Sequence, residues 1–303
     1  MIVAFQGDDV RTGFIGIGTM GQPMALHLMR AGHSLSVFAR RPDALDAILA
    51  AGAKNFTSPR ELAAHCDVVF TMVTATGDVE QVLFGDAGVA SGARPGLLVI
   101  DMSTIAPLAA KDFASRLETM GIAMLDAPVS GGPDGARQAT LTIMAGGTEE
   151  AFERARPLFE CLGKTILRMG PSGSGQATKA CHQLLLLITA EGAAEALTLA
   201  QRCGVDPVLA QQVMMTGIAS SRVLDRFGSR MAARQFEDGI AARLYRKDLQ
   251  IVLDLARTVG VELPAGAVTM EHLARVVARG RENDDLSVLI TEVEARSVAG
   301  RQS

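Results

Sequence analysis

Gly13-Phe14-Ile15-Gly16-Ile17-Gly18-Thr19-Met20-Gly21 is the stretch on which the reading of this chain turns. An apolar run over 12–17 breaks into glycines spaced G-x-G-x-x-G, and a helical pattern starts directly after them. Strand, glycine turn and helix, in that order, are what a dinucleotide-binding turn needs. Gly16 permits the tight turn, Gly18 lets the backbone approach a pyrophosphate, and Gly21 lets the helix lie close on the strand. The pyrophosphate then meets the positive end of the helix, where Thr19 and Met20 sit. A second strand pattern, Ser34-Leu35-Ser36-Val37-Phe38, follows and supplies the context that makes the motif informative.

Working outward, short apolar runs alternate with helical patterns as far as residue 170. Strands are expected at 12–17, 35–39, 68–73, 97–102, 123–127, 140–145 and 165–169, which implies crossovers and a largely parallel sheet. Gly170-Pro171-Ser172-Gly173-Ser174-Gly175 breaks the pattern. Beyond it the periodicity is helical, at about 175–202, 207–217, 219–233, 239–259, 265–279 and 285–296, with no strand. The expected architecture is therefore α/β: a Rossmann-type doubly wound domain over 1–173, then an all-α substrate and oligomerisation domain over 174–303. Residues 1–11 read as a polar extension.

Bulk properties narrow the function. The 303 residues are 48% apolar, enough for a large core, with no Trp and a single Tyr, Tyr245. So few aromatics argue against stacking on sugars or single-stranded nucleic acid. A net charge of -4 gives no general attraction to nucleic acid or anionic membranes. The longest apolar run, 184–190, is far short of the roughly 20 residues that span a bilayer, and no cationic leader is present. The scattered Cys66, Cys161, Cys181 and Cys203 form no C-x-x-C pair and suggest reduced thiols in a cytoplasmic protein. His27, His33, His65 and His272 lack metal-ligand spacing, so no metal is expected. The methionines read as core filler.

Four further segments carry chemistry. After the second strand, where an acidic residue usually accepts from a ribose 2′-hydroxyl, the chain has Ala39-Arg40-Arg41. Two guanidiniums favour a 2′-phosphate, hence NADP; two solvated loop arginines with relaxed specificity, and NAD, remain open. In Asp126-Ala127-Pro128-Val129-Ser130-Gly131-Gly132, Gly131 and Gly132 can expose consecutive N–H groups to a carboxylate beside the Ser130 hydroxyl, or form an ordinary tight turn. In Gly175-Gln176-Ala177-Thr178-Lys179-Ala180-Cys181-His182-Gln183, helical spacing puts Lys179, His182 and Gln183 on one stripe. A lysine taken out of water exchanges protons near neutrality, whereas an exposed one does not. Lys247-Asp248, early in another helix, reads as an exposed pair on a solvated face. Glu191 and Glu195 read as a polar helix face.

These blocks occur in the order seen in the β-hydroxyacid dehydrogenase family, which the chain resembles from Thr12 to about Val293. The resemblance rests on residues 13–25, on Asp101-Met102-Ser103-Thr104, on Asp126 to Gly132, on Gly175-Gln176 with Lys179, and on Lys247-Asp248-Leu249. It implies that Lys179 is the catalytic acid/base. It implies that Ser130, Gly131 and Gly132 hold the substrate carboxylate, with His182 and Gln183 orienting the substrate. It implies that Val73, Thr74, Thr104 and Lys247 contact the cofactor. Many members have Asn-Asn where this chain has His182-Gln183; the His-Gln pair resembles L-threonate dehydrogenases, so the resemblance does not name the substrate. The expected activity is hydride transfer between NAD(P) and a small 3-hydroxy acid or its semialdehyde, of the 3-hydroxyisobutyrate dehydrogenase or 2-hydroxy-3-oxopropionate reductase type. An imine reductase on the same scaffold and a non-catalytic cofactor-bound module are the alternatives, and Lys179 speaks against both. Leu184 to Ile188 is apolar on every face, so burial inside the chain or in a homodimer or homotetramer is expected.

Overall fold

The computed structural model describes residues 10–41 and 44–299. They divide into two units, one ending at Lys179 and one starting at Ala180. Most of the expected N-terminal extension lies outside the described residues. Its last two residues belong to the first unit: Val10 is buried, and the Arg11 carbonyl accepts from Asp67 N at 2.8 Å.

In the first unit the elements run β1 (Thr12–Ile15), α1 (Gly21–Arg30), β2 (Leu35–Phe38), α2 (Asp46–Ala50), β3 (Lys54–Asn55), α3 (Pro59–His65) and β4 (Val68–Thr71). They continue with α4 (Thr76–Phe84), α5 (Val89–Gly92), β5 (Leu98–Asp101), α6 (Pro107–Glu118), β6 (Ala123–Asp126), β7 (Val129–Ser130) and α7 (Gly132–Arg137). β8 (Leu141–Gly146), α8 (Glu149–Glu160) and β9 (Gly163–Gly170) complete the sheet. Its order is β3-β2-β1-β4-β5-β6-β8-β7, with β9 also paired to β8. The pairs from β3 through β6 are parallel, and β8 is antiparallel to β6 and β7. The chain lays β2 and β3 on one side of β1, then crosses to β4 on the other. That reversal opens a crevice at the carboxyl ends of β1 and β4.

Helices cover both faces of the central strands, so those strands are apolar throughout rather than alternating. Phe14 and Phe70 stack at 5.7 Å on the face that buries Met24 and Leu28 of α1. Ile15, Val69 and Val99 pack with Leu62, Val79 and Leu83 on the other.

Several strands end earlier than their apolar runs. Ile17, Met102 and Ala127 are buried just past the ladders, so apolarity there marks burial near the crevice rather than pairing. β3 and β7 were not foreseen. Each is two residues long, and β3 is polar and exposed, so neither offers an apolar run.

The second unit is built on α9 (Ser174–Arg202), whose residues 174–179 belong to the first unit, then α10 (Pro207–Thr216), α11 (Ser229–Ala232), α12 (Ala242–Val259), α13 (Pro264–Ala278) and α14 (Ile290–Ala299). The expected helix over 219–233 widens into a π turn at Leu224–Gly228 before α11. α12 starts three residues late because Ala241 bridges Asp285 and Ala242 N donates to Asp284 O. A 3-10 turn at Leu286–Leu289 precedes α14. The core joins Leu187, Ala190, Ala194 and Leu197 of α9 to Leu249, Val252, Leu273 and Val276. α9 has the length and apolarity of a membrane span because it is this core's central helix. Its apolar run is not buried on every side, since Leu185 is 70% exposed.

Candidate active site

The glycine turn has the geometry its spacing implies. Gly16 has φ +101°, and a Cβ there would meet Met72 O at 2.2 Å, where the turn crosses the end of β4. A Cβ on Gly21 would meet Gly16 O at 2.0 Å, so α1 packs against the turn itself. At Gly18 an added Cβ would meet nothing within 4 Å: this glycine clears space outside the protein.

That space is a cleft of about 300 Å³ at the ends of β1, β2 and β4. Gly16, Gly18, Arg40, Arg41, Val73 and Thr74, all expected on the cofactor, line it, together with Phe38, Met72 and Val82. Thr19 and Met20 form the turn entering α1, and Thr104 follows β5; none of these three lines the cleft. Beneath the cleft, Ser103 Oγ accepts from Val73 N at 2.9 Å. Asp101 Oδ1 accepts from Thr71 Oγ1 at 2.7 Å and Ser103 N at 3.2 Å. Open backbone at a helix N-terminus and two guanidiniums at the lip fit a nicotinamide dinucleotide.

The start of α9 is tied to the sheet by two buried side chains, both within the blocks that carry the resemblance, for which the sequence suggested no role. Asp126 ends β6; its Oδ1 accepts from Gly173 N at 2.7 Å and its Oδ2 from Gln176 N at 2.9 Å. Gln176 Nε2 donates to Ser103 O at 2.8 Å, and its Oε1 accepts from Ile105 N at 3.1 Å. Burial pushes the Asp126 carboxyl up to about 6, against the pull of those N–H donors. Lys179 lies three residues beyond Gln176, so its place in the first unit is set by these bonds. It is 7% exposed, the buried alternative of the two the sequence left open. Gly131 and Gly132 have φ +127° and +61°, so the turn after Ser130 demands glycine at both positions whatever it binds.

In the second unit, Lys247 and Asp248 are not the exposed pair expected. Asp248 is buried, with Lys247 Nζ 3.0 Å from Oδ1, because Gln183 Nε2 reaches across from α9 to donate to Oδ2 at 2.6 Å. Gln183 Oε1 is 3.0 Å from His182 Nδ1. His182, Gln183 and Lys247 thus belong to one connected group. Glu191 is likewise no solvated face residue. It is buried, with Oε1 2.6 Å from Nδ1 of His272, whose Nε2 accepts from Arg296 Nη1 at 2.9 Å. Burial raises the Glu191 carboxyl and the imidazole opposes it. Glu195 is exposed as expected. Among the described residues no cluster of His, Cys, Asp and Glu could hold a metal ion.

Known proteins agree with this geometry. Residues 11–170 match the NAD binding domain of 6-phosphogluconate dehydrogenase, and residues 173–293 match the domain described as NAD-binding of NADP-dependent 3-hydroxyisobutyrate dehydrogenase. The chain is 42% identical to 2-hydroxy-3-oxopropionate reductase of Escherichia coli (strain K12), covering 94% of this chain and 97% of that protein. It is 37% identical to the NAD-dependent L-serine dehydrogenase of Pseudomonas aeruginosa, over 91% of this chain and 95% of the relative. The solved 3-hydroxyisobutyrate dehydrogenase of Mycobacterium tuberculosis with L-serine superposes with a TM-score of 0.86 at 32% identity, covering 93% of this chain and 98% of that one. Imine reductases share the fold at 18% identity. Fold, cleft and relatives together define an NAD(P)-dependent oxidoreductase acting on hydroxy acids. The chain belongs to the β-hydroxyacid dehydrogenase family.

Proposed function

We propose that this enzyme interconverts a small 3-hydroxy acid and its semialdehyde, with Lys179 as general acid/base and NADP as the preferred cofactor. The observation that carries this reading is a buried lysine near the start of α9, in its second turn, just beyond the bonds that Asp126 and Gln176 make. The nicotinamide, when bound, supplies or takes the hydride. As negative charge grows on the substrate oxygen during reduction, the Lys179 ammonium stabilises it and delivers a proton; in oxidation the free amine takes the hydroxyl proton. Such proton transfer is typically worth ~10²–10⁴-fold in rate. Ser130 and the N–H groups of Gly131 and Gly132 hold the carboxylate, and His182 and Gln183 orient the neighbouring carbons. Arg40 and Arg41 favour the 2′-phosphate.

A panel followed by the absorbance of reduced nicotinamide tests the reading. It offers 2-hydroxy-3-oxopropionate, succinic semialdehyde and glyoxylate with NADPH and NADH, and 3-hydroxyisobutyrate, L-serine and L-threonate with the oxidised cofactors. Turnover of at least one acid, faster with the phosphorylated cofactor, is expected. Turnover of cyclic imines alone would overturn the reading.

We further propose a homodimer or homotetramer in the cytoplasm. Leu185 and Leu199, 70% and 65% exposed on one side of α9, with Val213 on α10, support a subunit interface. Four free cysteines support a reducing compartment. A monomer by light scattering at micromolar concentration would contradict the assembly.

A further inference from the structure

Asp248, Gln183 and His182 form a chain in which each hydrogen bond has only one workable polarity. A carboxylate facing the Lys247 ammonium accepts and does not donate. The 2.6 Å contact from Gln183 must therefore come from its amide nitrogen. Turning the amide over would set its oxygen against a carboxylate oxygen where both residues are buried: Gln183 is 4% exposed and Asp248 9%. With nitrogen toward Asp248, the amide oxygen faces His182 Nδ1 at 3.0 Å. A carbonyl oxygen only accepts, so Nδ1 carries the proton.

We infer that Asp248, acting through Gln183, locks His182 as the Nδ1–H tautomer and so makes its Nε2 an acceptor that selects a substrate hydroxyl over a carbonyl or carboxylate oxygen. Asp248 and Gln183 are positioning residues here. Adjacent helix residues do not normally face each other, so the His182–Gln183 bond depends on Gln183 being held from the far side, by a residue 65 positions away. A neutral ring has one donor and one acceptor, so fixing Nδ1–H fixes what Nε2 can take: any group that meets it must donate. The opposite tautomer would donate from Nε2 and suit a carbonyl. The substrate half of this inference rests on His182 facing the substrate, as proposed above; the tautomer half does not.

The test uses full-length, cofactor-free protein labelled with ¹⁵N-histidine and long-range ¹H–¹⁵N correlation at about pH 8, above the usual histidine range. The His182 signals are those lost in His182→Asn. The wild type is expected to show a pyrrole-type Nδ1 and a pyridine-type Nε2. Gln183→Leu should release the ring into tautomer exchange. Asp248→Asn, whose single oxygen stays with the Lys247 ammonium and whose NH2 then faces Gln183, should turn the amide over and release or reverse the lock; an unchanged Nδ1–H pattern in that variant would also overturn the inference. An Nε2–H pattern or an averaged ring in the wild type would overturn the inference, and so would an unchanged pattern in folded Gln183→Leu. If that variant does not fold, the wild-type and Asp248→Asn spectra still decide.

For the substrate half, Gln183→Leu should lower kcat/KM about tenfold more for L-threonate than for 3-hydroxyisobutyrate, as expected for one lost hydrogen bond. An equal loss would contradict it. Failure of the wild type on every acid would overturn the proposed function, with the tautomer result unaffected.

Discussion

Arg40 Nη2 lies 3.3 Å from Asp78 Oδ1, joining the end of β2 to the start of α4 at the lip of the dinucleotide cleft. The acid missing after β2 thus comes from another element, and Asp78 is held there by Oδ2 accepting from Ala75 N at 3.2 Å. A 2′-phosphate has to draw Arg40 from this partner and sits near a like charge. Arg40 is 76% exposed, so the ion pair is worth only about 0.2–1 kcal/mol.

Asp78→Asn should therefore tighten NADPH binding roughly two- to five-fold and change NADH binding little. Replacing both Arg40 and Arg41 by Ala should weaken NADPH by about tenfold or more, since each can give a charge-assisted bond worth ~1.5–3 kcal/mol. Calorimetric Kd values for the two cofactors check this; equal effects on both would count against a 2′-phosphate site.

The glycine turn separates folding from binding. Gly16→Ala meets both a positive φ and Met72 O at 2.2 Å, so it should lower Tm sharply. Gly18→Ala meets nothing within 4 Å, so it should melt like the wild type yet bind either cofactor poorly, because its methyl enters the cleft. A Gly18→Ala protein with unchanged Kd would mean that the dinucleotide does not approach this turn.

What the sequence revealed and what it hid divide along a physical line. The glycine turn was legible because backbone demands are local, whereas the same helical spacing left open whether Lys179 is buried. Gln176 bonds Ser103, 73 residues away, Gln183 bonds Asp248 and Glu191 bonds His272, 81 residues away, so the partners of all three were hidden, and Glu191 read as an ordinary polar residue on a helix. β3 was missed because two exposed polar residues carry no pattern, and the strand ends were overrun because buried residues past the ladder are as apolar as those within it.

Asp126 gives stability a pH dependence. Burial raises its carboxyl from 3.8 to about 6. Between those values the folded protein keeps a proton that the unfolded chain has released, so stability falls as pH rises through that window. The difference between those two values corresponds to roughly 3 kcal/mol. Urea unfolding from pH 4 to 7 should show this decline, and Asp126→Asn should remove it; the same slope in the variant would assign it to another group.

The buried Glu191–His272 pair stabilises by mutual satisfaction. His272→Ala strands the Glu191 carboxylate and should cost about 3–5 kcal/mol. Glu191→Gln, which still offers His272 an acceptor, should cost less. Denaturant midpoints check the order, and a His272→Ala loss below that of Glu191→Gln would contradict the pairing.

The central claim is that Lys179 moves the proton, and turnover of Lys179→Ala compared with its cofactor affinity tests it most directly. The account predicts that kcat falls by ~10²-fold or more while the Kd for NADPH stays within about twofold of the wild type. Near-wild-type turnover without the lysine would contradict it.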